Sequence, residues 1–262
     1  MKLIRLGQTL CEGASFPPQP PTANALLFLR KNTHMFQGFA NDDCSIVYNP
    51  PRSSDDSTMQ EQGPITKWED YNGSGVYAEQ TTCVDCPLYY YGYGFAIFDT
   101  DRFFDLNTPV SLTGEFTIYF RAVFSSTNSK ALIGGDTSNF WRVTNNKSFR
   151  LRIDGTPNHD FTEVTDTIAT SVGIKSVPYI CVLSRDASGY LSMFVHDGPR
   201  PYNYNDKAWG STTNQDTDTM TISNVGAKED DVQNFSGWMS DVLVYDTHHD
   251  SAQRNQVYQY IG

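Results

Sequence analysis

The sequence predicts an all-β chain folded as a two-sheet antiparallel sandwich, with an irregular N-terminal extension and a short C-terminal helix. Three observations predict it. Aromatic residues make up 13% of the 262 residues, with 15 Tyr and 16 Phe, and such side chains suit a pleated, half-buried surface. From Gly92 onward, short segments alternate apolar and polar residues at a period of two, separated by turn residues. A helical period is sustained only at the C-terminus.

The elements follow in chain order. Residues 1–91 are read as a loop-rich extension, either laid over the main domain or docked on another protein. "SFPPQPPTANALLFLRKN" is a proline cluster and then a short apolar run, and "NPPRSSDDSTMQEQGP" is a polar loop. Strands there are expected to be short: Lys2 to Leu6, Ala25 to Leu29 and Ser45 to Tyr48. Residues 92–262 form the sandwich domain. Gly94 to Asp99 is its first strand. In "EFTIYFRAVF", Phe116, Ile118, Phe120, Ala122 and Phe124 share one face, and Thr117, Tyr119, Arg121 and Val123 the other. "NFWRV" and "SFRLRID" form a hairpin about "NNK", with Phe149, Leu151 and Ile153 inward and Arg150 and Arg152 outward. "VPYICVLSRDASGYLSMFVHDG" is a hairpin about Asp186 to Gly189. "TMTISNVG" and "WMSDVLVYD" complete the strands. In the helix, Asp250 or Ser251 caps, and Val257 and Ile261 lie four apart on one face.

The net charge of -11, with no linear Lys/Arg cluster, argues against a nucleic-acid partner. No stretch has the length and apolarity of a membrane span. The opening "MKLIRLGQTLCEGASF" lacks the apolar run of a signal peptide, so synthesis in a cytoplasm without export by that route is expected. Five cysteines, Cys11, Cys44, Cys83, Cys86 and Cys181, are expected as thiols. The one close pair, Cys83 and Cys86, is a weak metal signal alone, with Cys11 or Cys44 as added ligands.

The run from "GFAIFDTDRFFDL" through "EFTIYFRAVF" and "ALIGGDTSNFWRVTNNKSFRLRIDG" to "FSGWMSDVLVYDTHHDSAQRNQVYQYIG" resembles the concanavalin A-like jelly roll of the laminin-G and pentraxin type. In that family a closing strand carries F-x-G-x-[ILM]-x-D-[VLI]-x-[VLI]-Y, matched here by Phe235, Gly237, Met239, Asp241, Val242, Val244 and Tyr245. The match implies that Gly237 permits a close backbone approach and that Met239 and Val242 to Tyr245 fill the core. The fold hosts lectins, glycosidases and structural modules, so it does not fix function. Family members often hold calcium at a rim, which makes Asp136 and Asn139 the candidate ligands.

Glycosidases of this fold commonly carry E-x-D-x-x-E on one strand, a spacing that aims paired carboxylates at the scissile bond. Glu69, Glu79, Glu115, Glu163 and Glu229 lack such companions, so an enzyme is not expected. "HHD", His248 to Asp250, is read as two exposed histidines and a helix cap rather than a metal cluster. The best binding candidate is the loop with Tyr202, Asn203, Tyr204, Asn205, Asp206 and Trp209, which sets aromatic faces for sugar stacking beside polar groups for hydroxyls. Tyr89, Tyr90, Tyr91 and Tyr93, where the two regions join, are candidates for packing the extension to the sandwich, for binding sugar, or for an interface with a neighbouring subunit, with packing or an interface favoured.

The surface-type fold, the leaderless start and a Ser/Thr/Asn/Tyr-rich texture resembling phage structural proteins together lead to an expected function. It is a non-enzymatic bacteriophage virion protein: a capsid decoration, fibre or tail-associated subunit. Its partners would be other virion proteins, copies of itself in a homo-oligomer such as a trimer, and host surface glycans. A free carbohydrate-binding lectin is the alternative, and a glycan-processing enzyme the third reading.

Overall fold

The computed structural model describes residues 25–30, 36–40, 46–47, 62–90, 95–98, 101–125, 130–144, 148–155, 157–161, 178–196, 207–211, 215–229 and 233–261. Within them lie eighteen strands: β1 (Ala25–Arg30), β2 (Phe36–Ala40), β3 (Ile46–Val47), β4 (Gln62–Glu69), β5 (Tyr77–Glu79), β6 (Leu88–Tyr90), β7 (Phe95–Phe98), β8 (Phe104–Leu112), β9 (Phe116–Phe124), β10 (Lys130–Gly134), β11 (Phe140–Val143), β12 (Phe149–Arg152), β13 (Asn158–Phe161), β14 (Tyr179–Arg185), β15 (Leu191–His196), β16 (Lys207–Ser211), β17 (Met220–Val225) and β18 (Gly237–Tyr245). One helix, α1 (Ser251–Ile261), follows.

All described strand pairings are antiparallel, and they form two layers. Sheet I is centred on β18, which pairs with β9 along one edge and with β7 and β1 along the other. It continues from β9 through β14 and β15 to β16, and from β7 to β6 and the start of β4. Sheet II runs β3-β2-β4-β5-β8-β17-β10-β11-β12-β13. Strand β4 serves both layers: Gln62 to Pro64 pair with β6, and Ile65 to Glu69 with β2 or β5. A strand that bends from one sheet to the other is a corner of the sandwich, and Pro64, which has no N–H to donate, stands at that corner.

The core lies between the layers. Rings from sheet I meet rings from sheet II edge to face: Phe120 and Trp141 with centroids 5.8 Å apart, Phe124 and Phe149 at 6.1 Å, Phe98 and Phe104 at 5.9 Å. The inward row expected for β9 is found, and Phe116, Ile118, Phe120, Ala122 and Phe124 all join this core. On the opposite row Thr117, Tyr119 and Arg121 are buried as well, and Val123 is half-buried. Tyr119 packs with Ile180, Val182, Leu243 and Tyr245 beneath Val257, Tyr258 and Ile261 of α1, making a second, smaller core on the outer face of sheet I.

The helix begins as expected at Asp250. Its Oδ1 accepts the Gln253 N–H at 2.8 Å, and Gln253 Oε1 accepts the Asp250 N–H at 2.9 Å, a reciprocal capping box. The expectation of two exposed histidines needs correction: His249 is 2% exposed. Its Nδ1 lies 2.7 Å from the Tyr119 hydroxyl, and its ring lies 4.4 Å from that of Tyr245. The second core draws it in. Burial, reinforced by His248 and Arg254, pushes its pKa down to about 4, with Asp250 opposing.

The described part of residues 1–91 is woven into the sandwich rather than laid beside it. β1 pairs with β18, β5 with β8, and β6 with β7. Strands β1 and β3 match expected segments, whereas β2, β4, β5 and β6 fall in chain expected to be irregular. The expected strand Lys2 to Leu6 and most of the proline-rich and polar stretches lie outside the described residues.

Among the described residues, one cysteine departs from expectation. Cys83 is disulfide-bonded, while Cys86 and Cys181 are buried free thiols. Burial raises the Cys86 pKa to about 11 and pushes that of Cys181 higher still. Alkylation of the native chain without reductant, followed by peptide mapping, is expected to leave Cys86 and Cys181 unlabelled and to recover Cys83 in a cross-linked peptide. Direct labelling of Cys83 would remove the disulfide from the account.

Candidate functional site

The two outer faces of the sandwich differ. That of sheet I lies partly under α1. On sheet II the outward residues of β11, β12 and β13 are polar apart from Phe140, which is 1% exposed, and no described helix covers them. Period two sets the pattern. Trp141 and Val143 turn into the core on β11, Phe149 and Leu151 on β12, and Phe161 on β13. Phe140, Arg142, Arg150, Arg152, Asn158 and Asp160 therefore face outward. The register aligns them in two rows across the strands: Arg142, Arg150, Asp160 and Phe140, Arg152, Asn158.

Three cations surround one ring. The guanidinium carbons of Arg142 and Arg152 lie 4.9 and 5.1 Å from the Phe140 centroid, and Lys228 Nζ lies 5.4 Å from it. Lys228 arrives on the segment after β17, whose backbone passes so close to Gly134 that a Cβ there would sit 1.9 Å from the Lys228 carbonyl oxygen. Arg150 donates from Nε and Nη2 to Asp160 at 2.6 and 2.8 Å, and Lys228 pairs with Glu229 at 3.7 Å. The other two arginines donate to neutral oxygens. Arg142 Nη1 reaches Gln233 Oε1 at 2.5 Å, and Arg152 reaches Asn158 Oδ1 at 2.9 Å and the Thr137 carbonyl at 3.2 Å. Burial, then the charges of Arg150 and Arg152, lower the Arg142 pKa against the pull of Asp160. In a chain of net charge -11, this is a local concentration of positive charge. A search for basic runs misses it, because strand pairing rather than sequence adjacency assembles it. The readable signal was the outward placement of Arg150 and Arg152.

The expected site residues lie elsewhere or outside the described residues. Tyr202, Asn203, Tyr204, Asn205 and Asp206 are outside them. Trp209 stands on β16, but its side chain is not among those described. Tyr89 is 3% exposed and belongs to the chain's own core, so it is spent on internal packing rather than offered to a neighbour. Tyr90 ends β6 with its side chain not described, and Tyr91 and Tyr93 lie outside the described residues.

Asp136 and Asn139 do come together, in the turn between β10 and β11. Asp136 Oδ1 accepts the backbone N–H groups of Ser138 and Asn139, each at 2.7 Å, and the Asn139 amide at 3.3 Å. Asn139 Oδ1 accepts the N–H groups of Asp154 at 3.2 Å and Thr221 at 3.3 Å. These oxygens tie the turn to the start of β17 and to the β12–β13 turn. Among the described residues, no group of three His, Cys, Asp or Glu side chains is placed to hold a metal ion.

Other polar groups serve the scaffold. His159 Nε2 lies 2.6 Å from Asp216 Oδ2, with both residues 5% exposed. Arg185, whose Nη1 is 4.0 Å from Asp216 Oδ1, donates to the carbonyls of Leu112, Gly114 and Asp218. This buried clamp joins β13, β14 and the segment before β17. Arg121 lies 3.8 Å from Asp241, and Ser240 Oγ donates to Asp241 at 2.7 Å.

No protein-family model matches the sequence, and no curated protein does. Solved structures are similar in shape. The chain is similar to an arabinofuranosidase solved with arabinofuranosyl-alpha-1,2-xylobiose, at TM-score 0.58 and 8% identity, over 90% of this chain and 62% of that one. It is similar to the binding domain of botulinum neurotoxin serotype D, at TM-score 0.45 and 11% identity, over 90% and 52% of the two chains. It is also similar to a SAP-like pentraxin from Limulus polyphemus, at TM-score 0.39 and 13% identity, over 55% and 68%. The chain thus spans less than two thirds of the first two. Together with the two-layer antiparallel architecture, the likeness to the arabinofuranosidase shows the fold: a concanavalin A-like jelly-roll sandwich.

Proposed function

We propose that this chain is a non-enzymatic binding subunit: a lectin-like jelly roll displayed on a bacteriophage virion as a capsid decoration, fibre or tail-associated protein, with its open sheet turned to host surface glycans. The observation that carries the reading is the asymmetry of the sandwich. Sheet I carries α1 over an apolar second core, while sheet II carries outward arginines, an aspartate and an asparagine on adjacent strands. A polar sheet face with planar donors suits saccharide hydroxyls and charges. The commitment of Asp136, Asp160, Asp216, Asp241 and Asp250 to structural partners supports a binding rather than a hydrolytic role. The disulfide at Cys83 supports a working place outside a reducing cytoplasm, as on virion surfaces.

The test is mass spectrometry of density-purified particles from the source of the gene, counting copies of the chain, with a glycan array probed by the purified protein. Many copies per particle are expected for a decoration role and few for a tail or fibre. Absence from intact particles, with glycan binding retained, makes the chain a free lectin. Absence together with an empty array removes the reading.

A further inference from the structure

We infer that the outer face of sheet II at β11–β13 is a site for an anionic saccharide, one whose sugar ring bears a carboxylate or sulfate, and that Arg142 and Arg152 are the residues that hold its charge. The inference rests on the glycan-binding reading above and adds the chemical class of the ligand and its place on the fold.

Four features carry it. The first is charge placed against stability. Arg142 stands directly opposite Arg150 across the β11–β12 pair, and like charges at facing positions destabilise a sheet. Asp160 relieves this only from the far side of Arg150, where it is held bidentately. The second is that Arg142 and Arg152 hold only neutral oxygens, so two full charges lack a described carboxylate partner. The third is an orphaned donor: Arg142 Nε makes no hydrogen bond and is shut off from solvent, so an anion reaches it only if the side chain shifts to present its fork, whose geometry suits a carboxylate or sulfate. The fourth is size. Three adjacent strands span about 10 Å, and positions two apart on a strand lie about 7 Å apart. That area fits one or two sugar rings and is too small to follow a nucleic-acid backbone. Asn158 and Gln233 border it with amides suited to ring hydroxyls. Surface pairs such as Arg150 with Asp160 are worth little to stability, so the face has small structural need of its cations.

The experiment is isothermal titration of the full chain at low salt with trigalacturonic acid, its neutral methyl ester and a sulfated disaccharide. Binding of one anionic probe at least tenfold tighter than the neutral ester is expected, weakening as salt rises. Arg142→Gln and Arg152→Gln should each weaken it about tenfold, the loss of one charge-assisted contact. Asp160→Asn should strengthen it severalfold, since it frees Arg150 and removes the opposing charge. Asp160 is exposed, so that variant keeps the test alive if an arginine variant fails to fold. If the neutral ester binds as well and the three variants change nothing, the site assignment falls while the lectin reading stands. If none of the three probes binds, the site assignment falls, and the lectin reading falls with it only if the glycan array is empty too. If inorganic sulfate alone matches the anionic sugars, the face is a general anion patch and the saccharide assignment fails.

Discussion

Gly237→Ala is expected to destabilise the chain by about 4 kcal/mol, the sum of overpacking and a backbone conformation closed to side chains. Gly237 opens β18 with φ at 150°, and a Cβ there would lie 2.0 Å from the Val123 carbonyl oxygen and 3.0 Å from the Phe235 ring. Neither can retreat. Val123 belongs to β9 and faces Trp238 in the central strand pair of sheet I. Phe235 is wedged between Phe98, at 5.9 Å, and Phe124, at 5.5 Å, in the main core. Domains of this kind are stable by about 5–15 kcal/mol, so this one methyl group removes a large share. Gly73→Ala is the control. That glycine has φ at 71° but nothing within 4 Å of its would-be Cβ, so the expected cost is about 1 kcal/mol, the left-handed backbone penalty alone. Urea unfolding of both variants checks the pair. Equal midpoints would mean that the close approach at Gly237 does not hold the closing strand.

That glycine also shows how far the sequence could be read. The F-x-G spacing pointed to a close backbone approach, and the structure supplies its partners, Val123 and Phe235. The pattern along β18 was harder. Met239, Val242 and Val244 all enter the main core, although Met239 and Val242 are three apart and a regular strand would place them on opposite faces. An irregularity between Met239 and Asp241 in the pairing with β9 changes the phase, and a period-two template carries no sign of it. The strands β4 and β13 were missed for chemical reasons. "QGPITKWE" contains Gly-Pro at the bend between the sheets, where turn residues are needed. "NHDF" buries a histidine against Asp216 instead of an apolar residue, so its alternation is hidden. The cationic face was half legible: outward arginines on β12 could be read, but their facing of Arg142 and the arrival of Lys228 over Phe140 depend on register and on a loop path.

Acidification is expected to loosen the C-terminal helix through His249. Its pKa in the folded chain is about 4, against about 6.5 for an unfolded histidine. Between those values the unfolded chain binds the proton and the folded chain refuses it, so stability falls as pH drops. The contribution is whole above about pH 6.5, is lost progressively below that, and is gone near pH 4, a total of up to about 3 kcal/mol. The reason is local. The ring lies between Tyr119 and Tyr245, and its neighbours His248 and Arg254 bring positive charge, with Asp250 alone opposing. Backbone anchors do not titrate with it: the His249 N–H donates to Thr117 Oγ1, and Arg254 donates to the His249 carbonyl. The double variant Tyr119→Phe, His249→Phe removes the ring and its hydroxyl partner together, so no buried hydroxyl is left bare. Thermal melts from pH 7.5 to 4 should show the wild type losing more stability than the variant, with the gap opening below about pH 6.5. Parallel curves would show that a neutral imidazole does not anchor α1 on sheet I. A gap that opened only above pH 7 would reverse the sign of the linkage and place the proton on the folded chain.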